Sequence, residues 1–87
     1  MIEKKILALI KSKISVEHIN ITDLTHKHQH HKHYSGGGHF KLTVVSDDFI
    51  DLSLIQRHRL IYSILDHMLK AEIHALSMVT KTISEYK

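Results

Sequence analysis

The sequence predicts an α+β fold in which helices cover one face of a three-stranded mixed sheet, in the order α-β-β-α-(α)-β-α. Three observations predict it. Two long segments repeat apolar residues at helical spacing, three short ones alternate apolar and polar residues with β-branched side chains, and the two kinds of segment are interleaved along the chain.

Ile2, Ile6, Leu9, Ile10 and Ile14 fall on one helical stripe, with Glu3, Lys4, Lys5, Lys11 and Lys13 between them. That pattern predicts an amphipathic first helix whose apolar stripe lies on a sheet. From Val16 to Leu24 near-alternation with β-branched residues predicts the first strand. The pattern then stops. Residues 25–38 hold five histidines, two lysines and the triple glycine Gly36-Gly37-Gly38, with almost nothing to bury, and they read as a flexible loop. Strand character returns at HFKLTVVS, residues 39–46, where Phe40, Leu42 and Val44 share one face while His39, Lys41, Thr43 and Val45 share the other. The first two strands therefore form a hairpin around the loop.

Asp47-Asp48 marks a turn, and from Ser53, a good N-cap, Leu54, Ile55, His58, Ile61, Tyr62, Leu65, Met68 and Leu69 keep helical spacing. An interruption of this helix is expected near Arg57. HALSMVT, residues 74–80, predicts the third strand, with His74, Leu76, Met78 and Thr80 on one side and Ala75, Ser77 and Val79 on the other. Thr82 to Lys87 fits a short closing helix.

Eighty-seven residues fit one domain, 1–87, with one core and at most one principal site. Apolar content is 43%, but no apolar run approaches the roughly 18 to 20 residues that a spanning helix needs. Charges interrupt MIEKKILALIKSK, so it lacks the apolar core of a secretory signal, and a cytoplasmic location without membrane contact is expected. Cysteine is absent, which excludes a disulfide, a thiol nucleophile and a thiolate cluster site built by this chain alone. The formal charge of +3 leaves out ten histidines that gain protons as pH falls, a balance that permits contact with phosphates without requiring it.

Histidine is the densest chemical signal. His26, His28, His30, His31 and His33 crowd into eight residues, and two readings stand: a solvated polar loop, or one in which one or two imidazoles ligate a metal. His74 begins a strand, where it serves either as a half-buried structural histidine or as a fixed ligand. Arg57, His58 and Arg59 read as a solvated basic face or as a surface for an acidic or phosphate-bearing partner. Enzymatic arrangements fail in turn: Asp47 and Asp48 diverge, no nucleophile elbow surrounds a serine, and the triple glycine lacks the lysine of a phosphate loop. The chain is not expected to be an enzyme.

Residues 39–69, HFKLTVVSDDFIDLSLIQRHRLIYSILDHML, followed by IHALSMVTKT, resemble the BolA family over most of the chain. The features that carry the resemblance are HFK leading into VVSxxF, then QRHRLIY, then HAL before the last strand, in that order. The family fold looks like the second class of KH domain. The resemblance implies a monothiol glutaredoxin as partner and a [2Fe-2S] cluster shared with it, for which the glutaredoxin and glutathione supply thiolates. It implies that His74 of the HAL motif is one ligand, and that a loop histidine is the second, with His31 ahead of His33 and His28. No cluster is expected in the isolated protein, a monomer or weak homodimer when free. Arg57, His58 and Arg59 then become candidates for the partner-facing surface.

The competing reading is a DNA-binding regulator of stress and cell-shape genes. It would use Arg57, Arg59, Lys41 and the histidine loop, although no GXXG loop lies between Ser53 and Lys70. Such binding would be salt-sensitive and weak in sequence preference. Metal buffering by the histidine loop alone is a third possibility.

Overall fold

The middle strand of the sheet carries both a buried and an open face, and the other elements are arranged by that difference. A computed structural model describes residues 2–25 and 38–87. Its elements are α1 (Ile2–Lys13), β1 (His18–Asp23), β2 (Gly38–Val45), α2 (Leu54–Ile64), α3 (Asp66–Leu69), β3 (Ile73–Lys81) and α4 (Ile83–Tyr86), with a 3₁₀ turn at Asp47–Phe49. Sheet order is β1-β2-β3, antiparallel between β1 and β2 and parallel between β2 and β3, so the predicted α+β class with a mixed three-stranded sheet holds.

Phe40, Leu42 and Val44 line the inner face of β2, as their alternation predicts, and are buried with Ile6 and Ile10 of α1, Ile61 of α2, Met68 of α3, and Phe49, Leu65 and Ile73. Each fully buried aliphatic side chain contributes about 1.5 to 3 kcal/mol relative to exposure, which outweighs any single cap or ion pair in the fold. Ile19 and Ile21 pair with Val44 and Leu42 and extend the same face onto β1.

The long helix begins where the sequence places it. Ser53 accepts from the Gln56 N–H while the Gln56 side chain accepts from the Ser53 N–H, a capping box worth about 1 kcal/mol. The interruption expected near Arg57 falls instead at Leu65, whose φ of −98° and ψ of 12° end α2 before α3 starts. Arg57 cannot be the break because it is an anchor. Its Nε donates to the Leu52 carbonyl, its Nη1 donates to the Thr80 carbonyl, and both terminal nitrogens donate to the Glu85 carboxylate, with the guanidinium above the Phe49 ring. The side chain is only 12% exposed.

The adjacent aspartates diverge and each ties down a different connection. Asp48 accepts from the Ser15 N–H at 2.8 Å, between α1 and β1, whereas Asp47 accepts from the Ile83 N–H at 3.0 Å, at the start of α4. Fully buried Ser46 caps the 3₁₀ turn and donates its hydroxyl to the Ser15 carbonyl. Asp51 supplies the left-handed residue of the turn that follows, with φ of 68°.

Gly38 is not part of a spacer, as the triple glycine suggested, but the first residue of β2. A Cβ at Gly38 would lie 2.1 Å from Cε2 of the Phe40 ring, which is 3% exposed and held in the core. Gly38→Ala is therefore expected to destabilise the protein by about 1 to 3 kcal/mol through overpacking, read as a lower urea midpoint at unchanged m-value.

Hydrogen bonds from the Arg57 side chain, then from the Thr82 backbone, lower the Glu85 pKa from 4.5 to about 2. A depressed folded-state value means that the contribution to stability is complete above about pH 4.5 and is lost as pH falls toward 2. Glu85→Gln should accordingly flatten the acid limb of unfolding midpoint against pH between those values, and leave its slope near neutrality unchanged.

Candidate functional site

Strict alternation along β3 would put His74 on the side of Leu76 and Met78, toward the core. The structure turns it away. Gly38 pairs with Ile73 and His39 pairs with Ala75, so His74 is the extra residue of a β-bulge. Ile73 and Leu76 can then both face the core although they are three residues apart, and the imidazole between them is exposed. A bulge next to a regular ladder aims one side chain without loosening its neighbours.

His39 lies beside it. Ring centroids of His39 and His74 are 4.9 Å apart and the rings are tilted by 44°. His39 occupies the open face of β2, opposite to Phe40, and its backbone is fixed: its N–H donates to Thr25 Oγ1 at 3.1 Å and its carbonyl accepts from the Leu24 N–H at 2.7 Å. Gly38 N–H donates to the Glu72 carbonyl at 3.0 Å, which ties the start of β2 to the approach to β3. Both ends of the histidine-rich segment, Thr25 and Gly38, therefore meet at the same end of the sheet as His74. The candidate ligands His31, His33 and His28 lie outside the described residues.

An exposed imidazole, His74, and a half-buried one, His39, on adjacent strands fit an iron or another metal that accepts nitrogen donors. They do not complete a site. Among the described residues no group of three His, Cys, Asp or Glu side chains is positioned to hold a metal ion, so further ligands must come from elsewhere.

Arg57, His58, Arg59 and Lys41 do not form one surface. Arg57 is taken up by Leu52, Thr80 and Glu85 and is not available to a partner, a correction to the expectation from its motif. His58 is half-buried, and its Nε2 has no hydrogen-bond partner among the described residues. Arg59 on α2 is exposed. Lys41 is also exposed, but on the open face of the sheet. That face is free of carboxylates at its registered positions: His18, Asn20 and Thr22 from β1, His39, Lys41, Thr43 and the buried Val45 from β2, and Ala75, Ser77, Val79 and Lys81 from β3. At its far end Tyr86 of α4 stacks on His18, with centroids 5.2 Å apart.

His39 is the site residue that the sequence reading overlooked. Alternation already put it on the open face, but its proximity to His74 depends on the parallel pairing of two strands separated by α2 and α3, which no local pattern encodes.

Comparison with known proteins is consistent with this geometry. The family model described as BolA-like protein matches residues 10–85. A Buchnera aphidicola protein, BU473, is 40% identical over 86 residues, covering 97% of this chain and 79% of its own. The protein called DNA-binding transcriptional regulator BolA in Escherichia coli is 31% identical over 87 residues, 100% of this chain and 81% of that protein. Among solved structures, BolA1 from Arabidopsis thaliana superposes with a TM-score of 0.82 at 30% identity, covering 94% of this chain and 92% of the other.

Proposed function

The chain belongs to the BolA-like protein family, and from that premise we propose that it is a non-enzymatic cytoplasmic partner of a monothiol glutaredoxin. It would supply histidine to a [2Fe-2S] cluster that the two proteins share, in iron-sulfur delivery or iron regulation. The observation that carries this reading is the exposure of His74 by the bulge, beside His39, on a chain with no cysteine.

When bound, such a cluster would supply one-electron chemistry, and His74 of this chain would hold it by an imidazole nitrogen. Thiolates from glutaredoxin and glutathione suit one iron, and imidazole suits the other. Neutral imidazole in place of thiolate leaves less negative charge around the iron, which raises the reduction potential and weakens retention. A centre held in this way is suited to transfer. This chain's part is to hold an imidazole outward on a fixed backbone: the strand ladder sets the direction of His74, and the buried flanking residue Ile73 resists its rotation inward.

A second reading has one specific support. The E. coli relative is called a DNA-binding transcriptional regulator, and the open sheet face here carries Lys41 and Lys81 together with His18 and His39, with no carboxylate at its registered positions. DNA held there would be sensitive to salt.

Two experiments test these readings. Reconstitution with a monothiol glutaredoxin, glutathione, ferrous iron and sulfide should give a mixed complex whose visible circular dichroism differs from that of glutaredoxin alone, and His74→Ala should abolish the difference. A spectrum unchanged by His74→Ala would overturn the shared-ligand reading; exposure of the side chain makes a folding defect a poor explanation, since surface substitutions usually stay within about 0.5 kcal/mol. For DNA, retention of duplex at about 0.15 M salt that is lost in Lys41→Ala and Lys81→Ala would support the second reading.

A further inference from the structure

We propose that the second imidazole on the iron belongs to His39, so that His39 and His74 ligate the same metal and His28, His31 and His33 are not needed for coordination. This inference rests on the shared-cluster reading above and names its second ligand.

Distance is the first argument. A metal to imidazole nitrogen bond is about 2.0 to 2.1 Å, so the ring centre lies about 3.2 Å from the metal, and two rings at a near-tetrahedral angle have centres about 5 Å apart. His39 and His74 are 4.9 Å apart before anything is bound. Their tilt of 44° also differs from a parallel stack, in which the two rings would present faces to each other and could not both turn an edge to one ion.

Preorganisation is the second argument. His39 is pinned through its N–H and its carbonyl, and His74 lies between Ile73 and Ala75, which both register with β2. The backbone entropy of placing these two donors is lost once, on folding. A pair of imidazoles on one iron reproduces the Rieske arrangement, in which the histidines replace both thiolates of that iron. His39 is a residue of β2 itself, and its backbone bonds to Thr25 and Leu24 fix its place at the end of the sheet.

The test uses the full chain in the mixed complex with a monothiol glutaredoxin and glutathione, comparing wild type, His39→Ala, His39→Cys, His74→Ala and a loop variant in which His28, His31 and His33 are all alanine. Pulsed electron paramagnetic resonance of the reduced cluster counts the coordinated imidazole nitrogens. Wild type and the loop variant should show two, His39→Cys should show one with a thiolate-shifted visible spectrum, and His39→Ala should release iron to a chelator at least about tenfold faster or fail to assemble. Two nitrogens retained in His39→Ala, with one lost in the loop variant, would overturn the assignment of His39 and leave His74 as a ligand. Two nitrogens retained in His74→Ala, or no mixed cluster with wild type, would overturn the underlying reading as well. Equal unfolding midpoints for wild type and His39→Cys separate loss of a ligand from loss of fold.

Discussion

The constraint on which the site depends is that Ile73 and Leu76 must face the same side of a strand although they are three positions apart. In a regular strand they would face opposite sides. Ile73 is needed over Gly38, and Leu76, Met78 and Thr80 are needed in register with Phe40, Leu42 and Val44. The bulge satisfies both demands, and its extra residue is forced out of the core. Placing His74 outside is therefore a result of hydrophobic burial at its flanks, and the chemistry at that end of the sheet is held by the same contacts that hold the fold.

Much of the fold was legible because it follows from local periodicity. Alternation at Phe40, Leu42 and Val44 and helical spacing around Ile6, Ile10 and Ile61 gave each element its buried face, and Ser53 marked its helix start through its own capping chemistry. Features that rest on contacts between distant segments were hidden. The break at Leu65, the role of Gly38 beneath the Phe40 ring and the outward turn of His74 arise from packing, not from spacing. The site was legible in part: His74 could be singled out from its motif, but its neighbour His39 could not, because β2 and β3 are joined through two helices. The loop histidines His28, His31 and His33 fall outside the described residues.

Several motif residues that look chemical have structural work. Asp47 and Asp48 are spaced like a carboxylate pair, yet one closes the start of α4 and the other closes the turn after α1. Arg57 lies in a basic motif, QRHR, but its donors are taken by two carbonyls and a carboxylate. Conversely, His39 looks like an ordinary outward strand residue and stands beside the exposed imidazole of His74. Charge density in a sequence is thus a poor guide to which residues are available here; strand register is a better one.

The ion pair between Arg57 and Glu85 ties the exposed helix α4 to the half-buried guanidinium beneath it. Glu85 sits two residues from the final lysine, where a flexible tail would be expected, yet it is the counter-ion of a guanidinium lodged above an aromatic ring. Trimming residues 85–87 for crystallisation would remove the carboxylate and leave the Arg57 charge against Phe49 without its counter-ion, loosening α2 from β3.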